Sequence, residues 1–159
     1  MIRMSIDSAH RLLAHKGKCS GLHGHRYDFL LTVEIGHESV GTGHKLIEPL
    51  ASGWHQELAN NDGMIIDFDD IKSTVGKWLN ETLDHATILQ VGDPLIPALA
   101  ADERTKLVIM QDPPTAECLA LYVLEQARRS LAAVSKSVFV TGIEVYETPN
   151  GKASACDGF

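Results

Sequence analysis

From His23 to Ile35 the odd positions carry His23, His25, Tyr27, Phe29, Leu31, Val33 and Ile35, while Arg26, Asp28, Thr32 and Glu34 fall on even ones, Leu30 being the exception. Period-two alternation over this length is the signature of a β-strand with one buried face, because successive side chains of a strand point to opposite sides. A long strand of this kind must lie inside a sheet and needs other elements to cover its apolar side. His23 and His25, two residues apart, project from that covered side at its end, with Gly24 facing away.

The flanking sequence supplies those elements. Residues 2–8 read as a strand running into Ser8-Ala9-His10, and Lys16-Gly17-Lys18 marks a loop. Met64-Ile65-Ile66-Asp67 reads as a short apolar strand. Asp67 or Asp69 then caps a helix whose Ile71, Val75, Trp78 and Leu79 share a face and which ends near Leu83. Pro113-Pro114-Thr115 opens a second helix, with Thr115 as cap and Leu119, Val123, Gln126, Ala127 and Leu131 at helical spacing. Ser137 to Glu147 reads as a closing strand. The segment after Leu83, broken by Gly92, Pro94 and Pro97, reads as a loop with one short strand at Leu107 to Met110. The pattern predicts an α+β domain, its sheet antiparallel because the links are short. The chain reads as a single domain over 1–159, with loop insertions at 36–63 and 90–112.

The histidines suggest a metal. His10 ends the strand before His23 and His25 and is the natural third ligand. Three neutral imidazoles suit Zn²⁺ and leave a fourth tetrahedral position open, as in a catalytic site. Cys19, four residues before His23, has two readings: a fourth ligand that closes the site, or a free thiolate acting as base or nucleophile beside the metal. His37, His44 and His55 lie scattered in the first insertion and read as surface residues.

Composition narrows the function classes. A net charge of -7, with no basic block longer than Arg128-Arg129, argues against a nucleic-acid or acidic-membrane surface. No apolar run approaches the roughly 18 residues that a membrane span needs. The start of the chain has no signal-peptide pattern, so the cytoplasm is the expected compartment. Cys19, Cys118 and Cys156 are an odd number and read as reduced thiols.

Ser8-Ala9-His10-Arg11-Leu12 and Cys19-Ser20-Gly21-Leu22-His23-Gly24-His25 resemble motifs of the 6-pyruvoyltetrahydropterin synthase family. Gly63-Met64-Ile65-Ile66-Asp67-Phe68, Leu83-Asp84-His85, Pro114-Thr115-Ala116-Glu117 and Tyr146-Glu147-Thr148-Pro149 continue the match in order. The three residues between Cys19 and His23 look like the 6-carboxytetrahydropterin synthase branch of the queuosine pathway. The resemblance implies a tunnelling fold (T-fold), in which an antiparallel sheet with two helices on one face joins neighbouring subunits into a barrel. It implies a homo-oligomer, a hexamer favoured, with active sites at subunit interfaces.

Carried over by position, the resemblance makes His10, His23 and His25 the zinc ligands and Cys19 the proton acceptor. Asp84 and His85 become a relay pair, and Glu147 the carboxylate that anchors the pterin, with Thr115 and Glu117 near the pterin pocket. The residues alone also allow other readings: His85 as a cation at a helix C-terminus, Glu147 as a strand-end side chain turned to water, and Glu117 as a helix-dipole partner. The implied activity is conversion of 7,8-dihydroneopterin triphosphate to 6-carboxy-5,6,7,8-tetrahydropterin, acetaldehyde and triphosphate. Triphosphate elimination to the pyruvoyl product is the alternative on the same site. A zinc-stabilised binding protein without catalysis is a third reading.

Overall fold

The computed structural model describes residues 1–35, Leu58 and 62–156. The alternating stretch is strand β2, His23–Ile35, and it lies near the centre of a six-stranded sheet. β1, Ile2–His10, runs antiparallel to it with Ile2 opposite Leu31 and His10 opposite His23. This register brings the three histidines to one end of the sheet.

Next comes a helical segment over 68–82, called α1. It is an α-turn at Phe68–Ile71, a π-helical turn at Lys72–Gly76 and a final stretch at Lys77–Thr82. Asp67 caps it by accepting from the Asp69 amide at 2.8 Å. The Thr74 hydroxyl donates to the Asp70 carbonyl at 2.6 Å inside the wide turn, a back-bond of the kind that competes with the regular ladder. Met64–Asp67, expected as a strand, is irregular, with a bend at Ile65 and Ile66 after the turn at Asp62 and Gly63. Asp62 and Gly63 both take positive φ, and Asp67 is already committed to the cap, so too few extended residues remain between turn and helix to pair.

After Leu83 the chain is more regular than expected. β3 (Ala86–Gln90) and helix α2 (Ile96–Ala100) replace most of the predicted loop, and β4 (Lys106–Met110) is the short strand expected at Leu107 to Met110. β3 lies parallel to β1, and β4 parallel to β3, so the sheet is mixed, with the order β4-β3-β1-β2-β5-β6. A parallel pair needs a crossover of a dozen or more residues, which 91–105 provide. Much of the 90–112 segment is therefore this crossover and its second strand. Residues 36–57 and 59–61 lie outside the described residues, and with them nearly all of the expected 36–63 insertion, including His37, His44 and His55.

Helix α3, Ala116–Ala132, starts at Thr115, whose hydroxyl accepts from the Cys118 amide at 3.3 Å. β5 (Val138–Thr148) and β6 (Gly151–Cys156) complete the antiparallel side. A bulge where the β2–β5 register shifts leaves Thr141 unpaired. It moves the buried positions of β5 from Val138 and Val140 to Ile143 and Val145, and the same parity carries Glu147 inward.

Both helices cover the same sheet face. Ile71, Val75 and Leu79 of α1 and Leu119, Val123 and Ala127 of α3 form one core with Tyr27, Phe29 and Leu31 of β2. The opposite face is polar: Arg3 and Ser5 both bind Asp28, and Lys152 pairs with Glu144 at 2.7 Å. No helix among the described residues is long and apolar enough to cross a membrane.

Candidate metal centre

β1 and β2 bring His10, His23 and His25 together, with candidate ligand atoms all within 4.8 Å of one another. Their ring centroids are separated by 4.6, 5.2 and 4.8 Å. Two of the rings are fixed from behind. His10 Nδ1 lies 2.6 Å from the Pro114 carbonyl, just before α3, and His23 Nδ1 lies 2.8 Å from the Gly21 carbonyl. A carbonyl only accepts, so in both rings Nδ1 carries a proton, and a ring in its neutral form then turns a bare Nε2 toward the site.

Those two Nε2 atoms face each other at 3.2 Å. With both rings neutral neither has a proton to share, and a cation beside both relieves the repulsion of the two lone pairs. For Zn–N bonds of about 2.0–2.1 Å in tetrahedral geometry, neighbouring nitrogens are about 3.3 Å apart. The donor set therefore fits zinc. Burial lowers the His10 pKa, as do the two neighbouring histidines, while the Pro114 carbonyl and Glu147 oppose the shift. The outcome favours the neutral, metal-competent ring.

Glu147 is the carboxylate of this cluster. Its Oε1 is 3.3 Å from His10 Nε2 and 3.8 Å from His25 Nε2, and it accepts from the Tyr27 hydroxyl at 3.3 Å. Tyr27 is fully buried, and its pKa is driven strongly upward by that burial, then by the charge and hydrogen bond of Glu147 and by the charge of Cys19. The phenol stays protonated and can only donate to the carboxylate. Glu147 and His25 also line a cleft of ≈ 690 Å³ that reaches Arg3, Arg26 and Tyr146 on the polar face.

Cys19 sits half-buried on a single 3₁₀ turn, Lys18–Ser20, between β1 and β2. The turn is tied to the end of β1 by the Leu12 amide, which donates to the Cys19 carbonyl at 2.8 Å.

The other expected residues stand apart. His85 Nδ1 is 2.7 Å from Asp84 Oδ2, but its contacts are with Asp84 and the Asp7 backbone, and its side chain is 79% exposed. With Nδ1 engaged, Nε2 is left for a partner outside the ring's own turn. Burial alone would raise the Asp84 pKa, but the Asp7 amide, His85 and Lys106 together hold it below the usual carboxylate range. His85 borders a shallow cleft with Asp7, Gly24, His25 and Arg26. Thr115 uses its hydroxyl as a helix cap, and Glu117 lies exposed on the first turn of α3.

Three contributors escape the sequence reading. The carbonyls of Pro114 and Gly21 orient rings through backbone atoms, which leave no trace in residue identity. Tyr27 is legible only as an inward position, and its tie to Glu147 depends on the β2–β5 register.

A sequence model of the family described as 6-pyruvoyl tetrahydropterin synthase matches residues 1–156. The chain is 34% identical to the 6-carboxy-5,6,7,8-tetrahydropterin synthase of Rickettsia conorii, covering 93% of this chain and 92% of that one. It is 30% identical to the protein of that name from Haemophilus influenzae, over 91% and 89% of the two chains. Among solved structures, an uncharacterized protein of Wolinella succinogenes superposes with a TM-score of 0.70 at 19% identity, covering 99% of this chain and 96% of that one. Caenorhabditis elegans 6-pyruvoyl tetrahydropterin synthase gives 0.60 at 20% identity, over 99% and 93%. At these identities the structures speak to the T-fold alone; the family match over nearly the whole length and the relative at 34% identity show that the chain belongs to the 6-pyruvoyl tetrahydropterin synthase family.

Proposed function

We propose that the chain is a zinc-dependent 6-carboxy-5,6,7,8-tetrahydropterin synthase, a carbon-carbon lyase. It converts 7,8-dihydroneopterin triphosphate to 6-carboxytetrahydropterin, acetaldehyde and triphosphate, and serves queuosine or 7-deazapurine biosynthesis in the cytoplasm. The observation that carries this reading is the spacing of 3.2 Å between His10 Nε2 and His23 Nε2, with both Nδ1 atoms held by carbonyls.

His10, His23 and His25 hold the zinc, which when bound supplies Lewis acidity to the vicinal hydroxyls of the substrate side chain. Glu147 accepts from the adjacent N–H and NH₂ donors of the pterin, a two-point contact suited to a carboxylate. Tyr27 keeps that carboxylate oriented. Cys19 takes up the substrate proton, and His85, its ring set by Asp84, relays it. Thr115 and Glu117 border the pterin pocket.

The exposed His85, its ring turned by Asp84 at the rim of a shallow cleft, supports a site completed by a second copy: Cys19 and the zinc from one chain, His85 from its neighbour. The protein in this reading is a homo-oligomer, a hexamer favoured, whose sheets join into the T-fold barrel. Each chain is a single domain over 1–159, with 36–63 and 90–112 as insertions, the second holding the β3–β4 crossover.

Incubation of the zinc-loaded protein with 7,8-dihydroneopterin triphosphate tests the reading. Stoichiometric acetaldehyde is the expected product. Triphosphate release with a pyruvoyl pterin and no acetaldehyde would assign the other branch of the family, and no turnover at all would leave a zinc-stabilised binding protein.

A further inference from the structure

His85 takes φ of 56°, in the left-handed region, although it is not glycine. Such a conformation is strained for a residue with a side chain and persists where surrounding contacts over-determine it. Here those contacts converge on one peptide group. The amide joining Asp84 to His85 is held at both ends: the His85 N–H donates to the Asp7 carbonyl at 2.7 Å, and the Asp84 carbonyl accepts from Lys106 Nζ at 2.7 Å.

The same ammonium donates to the Asn80 carbonyl at 3.0 Å, in the last turn of α1, where the orphan carbonyls of a helix end favour a cation. Lys106 is the first residue of β4 and pairs in register with Ala86, which follows His85 directly. Asp84 is fixed separately: its Oδ1 accepts from the Asp7 amide at 2.9 Å, and its Oδ2 meets His85 Nδ1.

We infer that Lys106 is a positioning residue for the Asp84–His85 pair, clamping the strained peptide between them so that the imidazole keeps one direction. β4 delivers it, which gives the end of the 90–112 segment a part in the site. Without the ammonium, the Asp84 carbonyl loses its donor, and the peptide can rotate toward an unstrained conformation that carries the His85 ring with it. A ring displaced by an ångström loses much of its rate advantage while ground-state binding is spared. The inference rests on the relay role proposed for Asp84 and His85.

The test compares zinc-loaded Lys106→Met, Lys106→Arg and His85→Ala proteins for kcat, KM, zinc content and Tm. Lys106→Met is expected to lower kcat roughly 10- to 100-fold, with KM within about twofold of wild type and zinc retained. Lys106→Arg, which keeps a cation able to reach the same carbonyls, recovers at least half of the activity. In ¹H–¹⁵N spectra of the imidazoles, the His85 ring resonance broadens or doubles in Lys106→Met and stays single in Lys106→Arg. Lys106→Gln serves the same reading should Lys106→Met not fold.

A lowered Tm with wild-type kcat in Lys106→Met overturns the inference, because the lysine is then only structural. Loss without recovery in the arginine variant overturns it as well. His85→Ala separates the two claims: if it retains wild-type kcat, the relay reading fails; if it is inactive while Lys106→Met is fully active, only the role of Lys106 fails.

Discussion

At the scale of single residues, the site is an arrangement of donors and acceptors in which each group has a restricted choice. The Tyr27 phenol, protonated and buried, can only donate, and the carboxylate of Glu147 can only accept. Glu147→Gln keeps the shape but offers an amide where the pterin also presents donors. It is expected to lower kcat/KM by roughly 10- to 100-fold with zinc retained; the check is steady-state kinetics beside metal analysis. Tyr27→Phe removes only the orienting hydroxyl, so a loss of about tenfold or less is expected from the same assay.

The element scale shows how much of the molecule is legible from its sequence. β2 is read to its exact ends, because alternation over so many positions has one physical solution. The Thr115 cap and α3 are equally plain, and the helix after Asp67 is recognised, although its π turn is not. β4 is recognised as the short strand at Leu107 to Met110, but β3 is missed because a short buried parallel strand alternates weakly, and Gly92, Pro94 and Pro97 disguise a crossover as a loop. Of the candidate site, the three histidines follow from parity and register, whereas the backbone carbonyls that orient them belong to distant segments.

One contact at this scale ties the crossover to the metal centre. Arg11, next to His10, forms a two-point ion pair with Asp93, which is buried beyond β3 and also accepts from the Leu95 amide at 2.8 Å. Arg11 holds the Asp93 pKa below its ordinary value against the opposing effect of burial, with the Leu95 amide helping. A depressed carboxylate pKa stabilises the fold above the unfolded value, ~3.9, and that contribution is lost as pH falls through the folded one. Asp93→Asn is therefore expected to lower Tm at neutral pH and to flatten the loss of stability below about pH 4, as thermal melts across pH will show. In the core between helices and sheet, Leu119→Ala is expected to cost about 2–5 kcal/mol in denaturant unfolding.

For the whole molecule, the exposure of His85 at the edge of a shallow cleft that it shares with His25 is the informative fact. If copies complete one another's sites, Cys19→Ala and His85→Ala proteins are each inactive, yet co-assembled in equal amounts they regain activity at about a quarter of the sites, by random pairing. Light scattering on the same samples should give a multiple of the 17.3 kDa chain, six being favoured. All of this depends on the open three-histidine zinc centre, which metal analysis tests most directly. One zinc per chain in wild type and in Cys19→Ala, none in His23→Ala, and turnover in wild type alone is the expected result; loss of zinc from Cys19→Ala would make the cysteine a fourth ligand and contradict a catalytic centre.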